Sequence, residues 1–101
     1  MLTSDSDEEM RIVWKQRADD LVWREIENEV IVLDLRSAQY LSLNATGALL
    51  WEALENEQSH LQLAELLAER FGLDEGTARH DTRVFIDACA SLQLIERKNE
   101  E

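Results

Sequence analysis

The spacing of apolar and polar positions changes character near residue 44. Upstream, Val30–Leu35 is rich in β-branched residues and predicts a strand. Leu21–Glu27 alternates imperfectly, with Leu21, Trp23 and Glu25 on one side and Val22, Arg24 and Ile26 on the other. The polar pair Asn28-Glu29 predicts a hairpin between these two runs. Arg36-Ser37-Ala38 predicts the next turn, and Gln39–Leu43 a third strand with an unpaired outer edge. Downstream the spacing is helical. Leu50, Trp51 and Leu54 share one face of a first helix over about 45–55, with Asn44 as N-cap. Ser59 and Gln62 form a capping-box pattern for a second helix, whose apolar face is Leu63, Leu66, Leu67 and Phe71 and which ends at Gly72. Asp74 caps a third helix over about 75–91, with Ala78, Thr82, Phe85, Cys89 and Leu92 as its core seam. Leu94 and Ile95 read as a short closing segment. Strands and helices are segregated, which predicts an α+β fold: a three-stranded antiparallel sheet followed by three helices, winged-helix-like.

The ends are read from charge. Residues 1–9 contain Asp5, Asp7, Glu8 and Glu9 with no base, the composition of a disordered acidic tail. One folded domain is expected over 10–96, followed by a polar tail over 97–101. Ile12, Val13 and Trp14 predict either a short edge strand or an arm folded over an exposed edge of the core.

Charge also restricts partners. The 22 acids outnumber the 10 bases and give a net charge of −12. Nucleic-acid affinity comes largely from Lys and Arg displacing counterions, so a phosphate backbone is disfavoured. An anionic membrane surface is disfavoured for the same reason. A peptide partner remains compatible. Cys89 is the sole cysteine, which excludes an intramolecular disulfide. The acidic start does not resemble a secretory signal, and no apolar run approaches the roughly 20 residues of a membrane span. These features predict a soluble cytoplasmic protein.

No catalytic, metal or cofactor site emerges. His60 and His80 fall on separate helices, have no cysteine pair, and are expected to be exposed. Cys89 lies on the core seam, where a thiol is an inert small hydrophobe. Gly47, Gly72 and Gly76 are isolated and form no phosphate loop. The second and third helices have the lengths of a helix-turn-helix, which makes an acidic winged-helix transcription regulator one alternative and another small protein-interaction module a second. Arg79 and Arg83, however, are offset by Glu75, Asp81 and Asp87. Peptide capture by strand addition is the remaining class: the third strand supplies a free edge, and a neighbouring helix supplies side-chain pockets. Arg79, Arg83, Ile86, Asp87 and Ala90 form a flank of the third helix beside its seam. Spacing leaves open whether this flank lines a cleft or whether Ile86 and Ala90 widen the core.

Particular residues add a resemblance. The Asp34-Leu35-Arg36 turn, Tyr40, Leu43-Asn44, Gly47, Trp51, Asp81 and Phe85 resemble the PqqD-like family of small peptide-binding domains, also called RiPP recognition elements. The resemblance runs from about Leu21 to Glu96 and is greatest to the discrete versions found in lasso-peptide clusters. It implies three strands followed by three helices. It also implies that the leader of a ribosomally made precursor peptide adds as a strand to the third strand, in a cleft with the third helix. On that basis Tyr40, Leu41 and Ser42 supply the strand, and Arg79, Thr82, Arg83, Ile86 and Asp87 line the cleft. The implied role is non-catalytic presentation of the precursor to a leader peptidase and cyclase, or to a radical enzyme. Asn28-Glu29, Ala38 and Gln93 depart from the Asp-Gly and glycines frequent in the family.

Overall fold

The computed structural model describes residues 5–98. Along the described chain the elements are α1 (Asp5–Arg11), β1 (Val13–Gln16), β2 (Leu21–Ile26), β3 (Glu29–Asp34), β4 (Gln39–Leu43), α2 (Ala45–Ala53), β5 (Gln58–Ser59), α3 (His60–Phe71), α4 (Glu75–Ser91) and β6 (Ile95–Arg97). The fold is a mixed α+β arrangement with two antiparallel sheets, ordered β2-β3-β4 and β5-β1-β6.

The first sheet is the predicted meander. Its β2–β3 turn falls at Glu27-Asn28, one residue earlier than the sequence suggested, with both residues at positive φ. That backbone matches the twist of a tight hairpin, and Asn tolerates it well. Along β3, Val30, Val32 and Asp34 point inward and alternate with exposed Glu29, Ile31 and Leu33. β4 leaves the sheet at Leu43 and feeds directly into α2. The Asn44 side chain accepts the Gly47 N–H at 3.1 Å and caps that helix. A Cβ on Gly47 would lie 3.2 Å from Leu43 Cδ2, so the glycine lets strand and helix approach closely at this junction.

The core is built on this junction. Leu50, Trp51 and Leu54 are buried together with Val30 and Val32 of β3, Leu63 and Leu67 of α3, and Phe85 and Cys89 of α4. The Trp23 and Trp51 rings meet edge to face, 6.4 Å apart at 85°. Helix α3 carries the predicted capping box at Ser59 and Gln62, and Gly72 ends it in the left-handed conformation. Two expected core members are corrected. Phe71 is 41% exposed and Leu92 is 43% exposed. Phe71 is the last residue of α3 and Leu92 the C-cap of α4, so both stand where the helix leaves the core, and Leu94 beyond α4 is buried.

The second sheet alters the expected layout. Val13–Gln16 is the middle strand between β5 and β6, and so neither an edge strand nor an arm. Leu94 is buried, and the closing strand begins at Ile95. The acidic tail expected over 1–9 falls only partly within the described residues. Residues 5–9 are helical, and residues 1–4 lie outside the described residues. Met10 is buried, Glu9 pairs with Arg83 at 2.6 Å, and Arg11 lies in the last turn, where a cation suits the helix dipole. Of the polar tail expected over 97–101, Arg97 ends β6 and the Lys98 N–H donates to the Val13 carbonyl at 2.7 Å. Residues 99–101 lie outside the described residues.

The turn that launches β4 is held by charge. The Asp34 carboxylate accepts the buried Arg17 guanidinium at 2.7 Å, the Arg36 N–H at 2.9 Å and the Ser37 hydroxyl at 3.1 Å. The Arg17 bond, then the other two, hold the Asp34 carboxyl well below the usual carboxylate range. The unfolded chain therefore takes up this proton first. The stability contributed by Asp34 is fully present above about pH 4 and is lost as the pH falls further. Melting temperature is expected to fall more steeply between pH 5 and pH 3, both about the carboxylate range, in the wild type than in Asp34→Asn. Equal slopes would show that Asp34 is not an acid-sensitive group of the fold.

Candidate binding cleft

β4 is an edge strand of the meander, and α4 runs alongside it. Two cavities lie along this line. One, of about 350 Å³, sits at the start of β4 and is lined by Val32, Asp34, Ser37–Leu41, Leu92 and Leu94. The other, of about 580 Å³, sits at its end, with Ser42, Leu43, Asn44 and Gly47 facing His80, Asp81, Val84 and Phe85. β4 thus starts near the C-terminal end of α4 and finishes beside its first half. The walls are apolar at Leu41, Leu43, Val84 and Leu92, with carboxylates at Asp34 and Asp81. A cleft of this kind offers one row of main-chain donors and acceptors with flanking side-chain pockets, as an extended peptide requires.

Tyr40, Leu41 and Ser42 lie on the strand wall, where they were expected. Tyr40 is 73% exposed. The expected α4 residues are placed differently. Thr82 and Ile86 are buried in the core. Arg79 pairs with Glu75 at 2.6 Å and lines a separate cavity of about 200 Å³ with Leu61 and Ala64 of α3. Arg83 is taken by Glu9 of α1, and Asp87 is exposed. None of these five lines the two cavities along β4. The cleft instead receives the opposite flank of α4, with Asp81, Val84 and Leu92. Val84, Ala88 and Leu92 recur every fourth position, a second apolar flank visible in the sequence. Ile86 and the half-buried Ala90 widen the core, the other reading of their spacing.

Cys89 and His60 are occupied by packing. Burial pushes the Cys89 thiol up to about 12, the reverse of an activated nucleophile. His60, expected to be exposed, is only 2% exposed. It opens α3 beneath neighbouring elements: its backbone N–H donates to the Ile12 carbonyl at 3.0 Å, and its ring Nε2 lies 3.5 Å from the Arg79 carbonyl. Burial lowers its basicity. Among the described residues, no three His, Cys, Asp or Glu side chains are grouped to hold a metal ion. No helix among them is long and apolar enough to cross a membrane.

Comparison with known proteins adds three findings. A family model described as coenzyme PQQ synthesis protein D (PqqD) matches residues 29–95, more than half of the chain. The structure of TbiB1 in complex with the TbiA(beta) leader peptide matches with a TM-score of 0.73 and 29% identity, over 81% of this chain and 94% of that one. A lasso peptide synthetase B1 complexed with its leader peptide matches with a TM-score of 0.71 and 20% identity, over 82% of this chain and 96% of that one. No curated protein matches the sequence.

Proposed function

This chain belongs to the PqqD family, and on that premise we propose that it is a non-catalytic recognition element that binds the leader of a ribosomally synthesised precursor peptide. The leader adds to β4 as a further antiparallel or parallel strand of the meander. The observation that carries this reading is the open edge of β4 with a cavity at each end of it. Tyr40, Leu41 and Ser42 supply the strand, and Asp81, Val84 and Leu92 supply the helix side of the cleft. Arg79, Thr82, Arg83, Ile86 and Asp87 support the fold from the other side of α4. In this reading the meander is the wing of a winged-helix-like layout formed with α2, α3 and α4.

A recognition element acts by raising the effective concentration of its peptide at a processing enzyme. For a lasso-type system the enzymes are a leader peptidase and a cyclase; a radical enzyme is the corresponding partner in other systems. The outer face of the meander suits such contact. Val22, Leu33 and Tyr40 form one exposed cross-strand row, with Ile31 in the next row on that face and Ile26 in the one beyond. Large exposed apolar groups in register make a contiguous patch of the kind that marks interaction surfaces. A leader on β4 extends this face by one strand, so an enzyme seated there meets protein and peptide together.

A proline scan over Tyr40, Leu41 and Ser42 tests strand addition. Alternate amides of an edge strand face the neighbouring strand and the open side. Proline at an outward amide is expected to leave the fold intact and to weaken binding of a fluorescent leader peptide by at least about tenfold. Proline at an amide facing β3 is expected to disrupt the sheet. If every folded variant bound the leader like the wild type, β4 would not be the docking edge.

A further inference from the structure

Arg17 follows β1 directly and precedes the family-matched span of 29–95. It is 6% exposed. Its guanidinium makes four hydrogen bonds. Nε donates to the Asp19 carbonyl at 2.9 Å, and Nη1 to the Gln93 carbonyl at 3.0 Å. Nη2 donates to the Asp20 carbonyl at 3.0 Å and to Asp34 Oδ1 at 2.7 Å. The Arg17 backbone N–H donates to the Leu94 carbonyl at 2.9 Å.

These partners stand on both sides of the cavity at the start of β4. Asp34 begins the wall that continues through Ser37 to Leu41, while Leu92 and Leu94 form the opposite wall. One planar cation joins the two without lining the cavity itself. The backbone around it is also unusual. Asp20, Ala38 and Gln93 hold φ of 63°, 61° and 62°. Side-chain-bearing residues persist in that region only where their surroundings fix them. Arg17 binds the carbonyls of two of the three. Lysine offers no equivalent, since its ammonium is a point donor without the fork that spans separated acceptors.

From this arrangement we infer that Arg17 is a positioning residue for peptide recognition: it fixes the spacing between β4 and the turn after α4, and so sets the size of side chain that the cavity admits. The inference rests on the leader-binding reading. It differs from a general stabilising role in one measurable way. Loss of stability weakens every leader alike, whereas a changed wall spacing reorders leaders that differ at one side chain.

The probes are synthetic fluorescein-labelled leaders of the precursor encoded beside the gene. An alanine scan of the leader locates the side chain whose loss Leu92→Ala no longer penalises, which identifies the one seated in this cavity. Leaders with Ala, Leu or Trp at that position are then titrated against wild type, Arg17→Lys and the double variant Arg17→Met/Asp34→Leu. Arg17→Lys retains a charge beside Asp34 and keeps a folded protein available, while the double variant removes the ion pair without leaving either charge unpaired. The Trp-to-Ala affinity ratio is expected to shift at least fivefold in the folded variants. Ratios within twofold of wild type in both variants would overturn the inference while leaving leader binding intact. Absence of wild-type binding to any leader would overturn the leader reading itself and, with it, this role for Arg17.

Discussion

Replacing Trp51 with alanine is expected to cost about 3–5 kcal/mol of folding stability, the range for deleting a buried indole. Small domains have roughly 5–15 kcal/mol in total, so this one change removes a large share of it. The cost is high because of where the ring sits. Trp51 is fully buried at the centre of the core, in contact with Trp23 and clustered with residues of β3, α3 and α4. The Gln16 side-chain amide also donates to the Trp51 carbonyl at 2.9 Å, tying β1 to the same turn of α2. A smaller side chain leaves a void bordered by both layers, and neither can collapse without disturbing the β4–α2 junction. Trp51→Phe is expected to cost much less. The Trp51 Nε1 is buried with no protein acceptor among the described residues, so phenylalanine removes an unsatisfied donor along with part of the ring. Urea titrations of both variants followed by circular dichroism check the pair. A Trp51→Ala loss below about 1.5 kcal/mol would mean that the core is not organised around this residue.

Val84→Glu is expected to weaken leader binding by at least about tenfold, or 1.4 kcal/mol, with the melting temperature almost unchanged. Val84 is 55% exposed, so a charge there is tolerated by the free protein. In the proposed complex a peptide strand along β4 covers it. The new carboxylate is then desolvated beside Asp81, in a chain already at −12, with no lysine or arginine among the described residues that line this cavity. The control is Arg83→Ala, which removes a base held by Glu9 on the far side of α4. Its leader affinity is expected to stay within about twofold of wild type. Fluorescence polarisation against one labelled leader reads both. Strong loss in Arg83→Ala and none in Val84→Glu would place the peptide on the opposite flank of the helix.

The contrast between these two side chains shows what the sequence does and does not carry. Periodicity located the meander, the three long helices and the Asn44 junction, because each depends on neighbours a few positions away. It also identified the seam of α4 through Ala78, Thr82, Phe85 and Cys89. It could not say which flank of that seam faces β4, since both flanks contain apolar residues at helical spacing. The charged pair Arg79 and Arg83 drew attention to the flank that pairs internally with Glu75 and Glu9. The second sheet left even less trace. Its strands are two to four residues long; the sequence hints at those near Val13 and Ile95, but their pairing of Val13 with Ser59 and Trp14 with Arg97 is too distant for any local pattern. The work of Arg17 has no local signature either. Two of its five contacts are to neighbouring Asp19 and Asp20, but those to Asp34, Gln93 and Leu94 are brought to it only by the fold.

The meander has two open edges, so filling β4 still leaves β2 bare, next to the exposed Val22 and Ile26. A bare edge beside an apolar face is the geometry from which sheets of separate molecules grow into one another. Here no proline blocks it: the chain contains none. The safeguard is its net charge, −12 in 101 residues, which makes each molecule repel its copies at neutral pH. That safeguard belongs to the solution as much as to the protein. Concentrated salt shortens its range to a few ångströms, and acid removes it by protonating the carboxylates that provide it. The protein is therefore best kept as a stock at low ionic strength and above neutral pH, and acid precipitation is the failure that its surface chemistry leads one to expect.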